Sequence, residues 1–255
     1  MEIFKNHSNL VVGFSKVSDG NMSYKWGDET SVEAARRAFC NNLGIDINKV
    51  VGISLVHGVD IIDPQLADVG KGMLPDTQDS YMADGLMTDT PGLGLCFVVA
   101  DCMPVVVYDP RNKAVALLHA GRRGVEQNIL AVALQKMVKE YGTVPKDVFV
   151  GAGPGISADS YVFDQDDGVD KEFWGDNFTL GSDKKFHMDT KNKLKQQAYE
   201  LGILESNIEI SQINTYTSND YYSHRISYDK GEPEGRFAAV AQSDLQKRWS
   251  QILAF

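Results

Sequence analysis

The chain has 255 residues, 43% of them hydrophobic and 24% charged, with a net charge of −10. That composition belongs to a folded globular protein and excludes a collagen-like, coiled-coil or disordered chain. The acidic balance disfavours bulk binding to nucleic acid, because like charges repel, but it leaves room for a local basic pocket. Three cysteines, Cys40, Cys96 and Cys102, are too few and odd in number for a disulfide framework, so the expected setting is a reducing cytoplasm. No basic leader followed by an apolar stretch opens the sequence, and no apolar run approaches a membrane span.

In chain order, Asn9 to Ser15 reads as a strand. Ser31 is placed to cap a helix that runs through Ala35 to Leu43 and stops at Gly44. Val50 to Val56 reads as a strand ending at His57-Gly58, and Asp60 to Asp79 is a turn-rich loop beside a site. Gly92 to Ala100 and Pro104 to Tyr108 read as buried strands separated by Asp101-Cys102-Met103. The turn signal Asp109-Pro110-Arg111-Asn112 joins the second of these to Ala114–His119 as a hairpin. Val125 to Tyr141 is the clearest helix, stopped by Gly142. Val148 to Ala152, a helix over Asn192 to Gly202 and a strand over Ile208 to Asn214 follow, and Phe237 to Leu253 has no clear pattern. Hairpins mixed with crossovers predict an α/β (α+β) fold, a mixed β-sheet flanked by helices and not a doubly wound parallel sheet, in one domain spanning 1–255. Gly151-Ala152-Gly153-Pro154-Gly155 lacks the lysine and helix of a phosphate loop.

Three residues combine reactive chemistry with strand ends: His57, Cys102 and His119. Two imidazoles and a thiolate make a three-ligand zinc site with an open fourth position, the pattern of a catalytic metal. The plain alternative is a Cys–His pair without metal, or a cysteine that only fills the core. Asp101 decides for a site at Cys102, because a lone charge in an apolar run is costly unless it faces a cleft. Cys96 has no such neighbour and reads as core; six residues away, it lies about 20 Å along an extended strand. His7, His187 and His224 read as ordinary surface or satisfied histidines. Gly121-Arg122-Arg123-Gly124, before the best helix, is a candidate pocket for phosphate or carboxylate, against the plain reading of a solvated turn.

In order along the chain, Leu55-Val56-His57-Gly58-Val59-Asp60, Ala83-Asp84-Gly85-Leu86-Met87-Thr88, Ala100-Asp101-Cys102-Met103-Pro104-Val105 and His119-Ala120-Gly121-Arg122-Arg123-Gly124 resemble the laccase-domain family, also called YfiH-like or polyphenol oxidoreductase-like. Gly153-Pro154-Gly155-Ile156 with Tyr161, Tyr222-Ser223-His224-Arg225 and Gly235-Arg236-Phe237-Ala238-Ala239 extend the resemblance over nearly the whole chain. It implies a cysteine-hydrolase-like layered sandwich and zinc held by His57, Cys102 and His119. It further implies purine nucleoside phosphorolysis (adenosine, inosine, guanosine, methylthioadenosine) with adenosine deamination at the zinc site. The departures are Leu55 for a usual glutamine, Arg122 for a usual tryptophan, Lys16-Val17 for Thr-Arg, and Asn214 for a cysteine.

On this reading Cys102, His119 and Asp101 are the candidate catalytic residues, with Asp101 orienting a histidine or relaying a proton. Arg122, Arg123, Gly121, Arg36 and Arg225 are the candidate substrate and phosphate contacts, with Gly124 and Arg236 in reserve. Zinc is the expected cofactor and copper a possible occupant. The expected partners are small purine nucleosides and phosphate, with neither nucleic acid nor membrane, in a monomer or homodimer. Three alternatives stand beside this one: a metal-free Cys–His hydrolase or amidohydrolase, a copper-dependent polyphenol oxidase, and a nucleotide- or metal-binding module without turnover. Five histidines are too few for a blue-copper site plus a histidine-rich cluster, which ranks the oxidase low.

Overall fold

The computed structural model of the chain describes residues 1–75, 80–165 and 168–243. The end of the predicted loop (76–79) and the last ten residues of the Phe237–Leu253 segment lie outside that set. The strands are β1 (Leu10–Phe14), β2 (Val50–Ser54), β3 (Ile61–Ile62), β4 (Tyr81–Met82), β5 (Gly85–Thr88), β6 (Gly94–Val99), β7 (Met103–Asp109) and β8 (Ala114–Ala120). They continue as β9 (Phe149–Ala152), β10 (Val162–Phe163), β11 (Phe178–Leu180), β12 (Phe186–Met188), β13 (Ile208–Ile210) and β14 (Phe237–Ser243). The helices are α1 (Glu29–Asn42), α2 (Arg122–Glu126), α3 (Ile129–Tyr141), α4 (Lys171–Trp174), α5 (Thr190–Glu200) and α6 (His224–Lys230). No described helix is long and apolar enough to cross a membrane.

Two mixed sheets carry the architecture. One has the order β1-β14-β6-β2-β4 and the other β13-β9-β7-β8-β5-β3; a small antiparallel sheet, β10-β12-β11, stands apart from both. Alternation along the strands sets the layers, because successive side chains point to opposite faces. On β7, Val106 and Tyr108 join a core shared with Leu95 and Phe97 of β6 and Ala239 of β14, so the two large sheets face each other. Val105 and Val107, one residue out of phase, meet Leu130, Ala133 and Met137 of α3 and Leu194 of α5 on the outer face. Cys96 and Val240 turn the other way and meet Phe39 and Cys40 of α1. The result is a helix–sheet–sheet–helix sandwich, in line with the mixed α/β layering expected from the sequence.

Several boundaries move for identifiable reasons. α1 starts two residues before Ser31, because the Asp28 side chain accepts the Ser31 N–H and is the actual cap. The predicted Val125–Tyr141 helix is two helices. Asn128 takes a left-handed backbone (φ 54°) between α2 and α3, and its side chain caps α3 through the Ala131 N–H. α5 begins at Thr190 rather than Asn192, because Asp189 caps it. The strand expected over Ile208–Asn214 ends at Ile210, and Asn214 makes only a bridge to Gly155. β2 ends at Ser54 instead of running to Val56. The predicted hairpin holds: Asp109 accepts the Arg111 and Asn112 N–H groups and turns β7 into β8.

Candidate active site

Strand register explains why the distant motifs meet. In the β7–β8 hairpin Met103 pairs with Ala120, so Cys102, one residue before β7, falls beside Gly121, one residue after β8. A methyl group at Gly121 would lie 2.7 Å from the Cys102 Sγ, so the absent side chain is what makes room for the thiol. In the β5–β8 pair Gly85 faces Leu118, which brings Asp84 to His119; the His119 N–H donates to the Asp84 carbonyl at 2.8 Å. His119 shares the inner face of β8 with Leu117, and its ring lies 6.1 Å from that of Phe97. His57 comes from the other large sheet, three residues past β2. One ligand atom each from His57, Cys102 and His119 lies within 4.8 Å of the others, and the two rings meet edge to face at 4.9 Å.

The orienting carboxylate is Asp84, not Asp101. Asp84 is fully buried and accepts three hydrogen bonds: from the His57 N–H (2.8 Å), the Gly58 N–H (2.6 Å) and His119 Nδ1 (2.8 Å). With Nδ1 committed, the His119 Nε2 faces Cys102. Burial opposes the charge on Asp84, but the His119 ring and the two backbone amides outweigh it and hold the carboxyl below its ordinary range. Burial likewise opposes ionisation of Cys102, and the charges of His119 and then His57 overcome it, so the thiol titrates below its ordinary value. His119, in spite of burial, is raised by Cys102 and Asp84. A thiolate beside oriented imidazoles is the state that both metal binding and nucleophilic attack need.

Asp101 has a different duty. Its Oδ1 accepts from the Thr215 hydroxyl at 2.6 Å and its Oδ2 from the Arg225 N–H at 2.8 Å, tying the approach to Cys102 to the start of α6. His57 (φ 63°) and Asp101 (φ 74°) both hold left-handed backbones, uncommon outside glycine. Each is fixed by long-range hydrogen bonds: His57 through Asp84, Asp101 through its carboxylate and through its carbonyl, which accepts the Ile156 N–H.

His57, Asp101, Cys102 and His119 line a cavity of about 550 Å³, inside the range of small-ligand sites. The predicted arginines divide. Arg122 and Arg225 line it, as does Arg236. Arg123 is exposed and is not among the lining residues. Arg36 is buried away from the cavity; it donates to the Met22, Gly72 and Met73 carbonyls and stacks 4.4 Å over the Tyr24 ring, so its role is to pin loops. Gly121 lines the cavity, whereas Gly124 packs under the His119 carbonyl. Arg122 is paired with Glu126 and donates to the Gly168 carbonyl. Arg225 makes no ion pair among the described residues: it donates to the Val162 carbonyl, and Tyr161 and Phe163 lie 5.7 and 5.9 Å from its guanidinium. Trp26 lines the cavity under Arg236.

Sequence reasoning left three contributors without a role: Asp84, Trp26 and His224, the last read as an ordinary histidine but here on the cavity wall. Asp84 carried a usable signal, a lone acid between Ala83 and Gly85 leading into a fully buried strand, the same kind that singled out Asp101. The remaining histidines stand elsewhere: His7 packs on Tyr108 and Phe149, and His187 bonds Asp183.

The sequence profile of the family described as "Multi-copper polyphenol oxidoreductase laccase" matches residues 9–244. A Mycobacterium tuberculosis protein named purine nucleoside phosphorylase is 30% identical over 225 residues, covering 86% of this chain and 83% of the relative. A Bacteroides thetaiotaomicron protein of the same name is 34% identical over 146 residues, and the match spans only about half of each (54% of this chain, 53% of the relative). The crystal structure of YlmD from Geobacillus stearothermophilus superposes with a TM-score of 0.86 at 26% identity, covering 96% of this chain and 94% of that one.

Proposed function

The chain belongs to the multi-copper polyphenol oxidoreductase laccase family, and on that basis we propose that it is a purine nucleoside phosphorylase. The observation that carries this reading is the pairing, in one cavity, of a guanidinium without a carboxylate partner among the described residues and aromatic faces beside it. Arg225 holds phosphate, and the two flanking rings and the Val162 carbonyl keep its side chain in place, so little motion is lost on binding. Trp26, with Lys25 and Arg236 over its ring at 4.9 and 5.6 Å, lines the same cavity and adds aromatic and cationic surface for the nucleoside. A phosphate oxygen then attacks the anomeric carbon as the bond to the base breaks, and cationic side chains around it stabilise charge that shifts during the step.

The His57, Cys102 and His119 donors suit zinc: two nitrogens and a sulfur, mutually close, on the wall of one cavity. Zinc held there supplies the Lewis acidity that hydrolytic deamination of adenosine requires near neutral pH. Asp84 keeps the His119 Nε2 turned to that position. Copper accepts the same donors, but only two of the five histidines lie in this cluster and the other three are dispersed, a poor match to the several copper centres of a phenol oxidase.

Incubating the purified protein with inosine or adenosine, with and without phosphate and with and without EDTA, tests the reading. Free base and ribose-1-phosphate formed only with phosphate are expected, together with inosine from adenosine that disappears on chelation. Base released without phosphate overturns phosphorolysis. Activity that survives EDTA but not alkylation of Cys102 makes the protein a cysteine hydrolase, and binding without turnover makes it a binding module.

A further inference from the structure

The cavity has a second titratable wall, opposite in character to the Cys102 cluster. His224 is the first residue of α6 and is fixed on both sides: the Ser223 hydroxyl caps the helix at the Ile226 N–H, and the Arg225 N–H is held by Asp101. Its Nδ1 lies 2.5 Å from Glu234 Oε1. The other oxygen of Glu234 accepts from Arg236 at 2.5 Å, and Arg236 sits 5.6 Å over the Trp26 ring. Burial opposes the charge on Glu234, but Arg236 and His224 hold its carboxyl below the ordinary range, so it is an anion facing the imidazole. With Nδ1 spent on Glu234, Nε2 has no partner among the described residues, and His224 lines the cavity. Among the other lining groups, Asp101 is held by Thr215 and Arg225, His119 by Asp84 and Cys102, and His57 belongs with Cys102 and His119 in the three-donor cluster.

We propose that His224 is the general acid that protonates the departing purine, oriented by Glu234; the assignment rests on the phosphorylase reading above. A purine held in the cavity beside Trp26 lies near the Arg236–Glu234–His224 chain of contacts, since Trp26, Arg236 and His224 all line it. As the bond between the sugar C1′ and the purine N9 breaks, its electron pair enters the base. The His224 Nε2 gives its proton to a nitrogen of the imidazole ring of the base, which leaves neutral. A phosphate oxygen forms the new bond to C1′. The proton that monohydrogen phosphate loses on becoming the ester returns His224 to its starting state. The Nδ1–Glu234 contact holds the ring at the cavity wall and leaves Nε2 as the nitrogen that gives up and regains the proton.

The test compares two nucleosides in His224→Gln. Inosine needs a proton for its base to leave. 7-Methylguanosine already carries on its imidazole ring the positive charge that protonation would supply. The variant is expected to lose about 100-fold in kcat on inosine and less than about threefold on 7-methylguanosine, the signature of a missing acid. Glu234→Gln is expected to show the same selectivity with a smaller loss. His224 is 59% exposed, so the substitution leaves the core untouched. Equal losses on both substrates, or no loss on inosine, overturn the assignment while leaving phosphorolysis standing. A wild-type protein that cleaves neither nucleoside in phosphate overturns the underlying reading and the assignment with it.

Discussion

Two histidine–carboxylate pairs face the same cavity and differ mainly in their access to water. In His119–Asp84 the side chains are 3% and 0% exposed; in His224–Glu234 they are 59% and 18% exposed. The exposed pair is the shorter, 2.5 Å against 2.8 Å, yet the buried one is the more consequential. Removing a partner from a buried pair strands a charge and several donors where water cannot reach them, whereas an exposed pair hands its partners back to solvent. Asp84 therefore acts as core and as site at once: it closes the His57–Gly58 turn and sets the His119 ring with one carboxylate. Glu234 is positioned to steer a proton and leaves the fold largely alone.

The sharpest division between the walls is metal content. Cys102→Ala is expected to emerge from zinc loading with no bound metal by elemental analysis, and His224→Ala with a full complement; metal lost from both would merge the two walls into one site. Next is stability. Asp84→Ala is expected to cost about 3–5 kcal/mol in urea unfolding, and a loss below about 1 kcal/mol would erase the distinction drawn here. The same residue sets an acid limb. Because its folded carboxyl titrates below the unfolded value of about 3.9, its stabilisation is complete above that pH and is lost as the pH falls through the folded value. Asp84→Asn is expected to flatten that limb in pH-dependent melting.

Smaller effects refine the comparison. Gly121→Ala pushes a methyl group against the Cys102 Sγ and is expected to weaken zinc binding by about tenfold in a competition titration; unchanged affinity would mean that the thiol has room to move. Glu234→Ala is expected to shift unfolding by less than about 1 kcal/mol, and a loss as large as that of Asp84→Ala would show the outer pair to be structural.

The convergence of His57, Cys102 and His119 could be suspected from the sequence because these residue types are chemically rare and each sits beside a strand end. His57, Cys102 and His119 needed only convergence, which strand register supplies. Asp84 and Asp101 were harder, since both are lone acids in apolar surroundings and only the β5–β8 register shows which of them meets His119. Arg36 misled for a related reason: nothing local reveals that its guanidinium is consumed by carbonyls from Met22, Gly72 and Met73. The predicted long helix failed at Asn128, where a side-chain cap and a left-handed turn override an unbroken apolar period. His224 stayed hidden because its partner Glu234 lies ten residues on, across the end of α6.

The last described strand, β14, is not at the rim of its sheet but between β1 and β6, antiparallel to both. A ribosome-bound chain that has emerged only through α6 therefore carries two open strand edges and a half-built interlayer core. Such edges invite pairing with other chains, so this is the stage at which aggregation and chaperone capture compete with folding. Pairing of β1 with β14 spans almost the entire described sequence, as in the register Leu10 to Ser243, and separations of that length slow folding. Ribosome-arrested chains lengthened stepwise past Ser243 are expected to gain protease resistance abruptly, in one step, as the sheet closes.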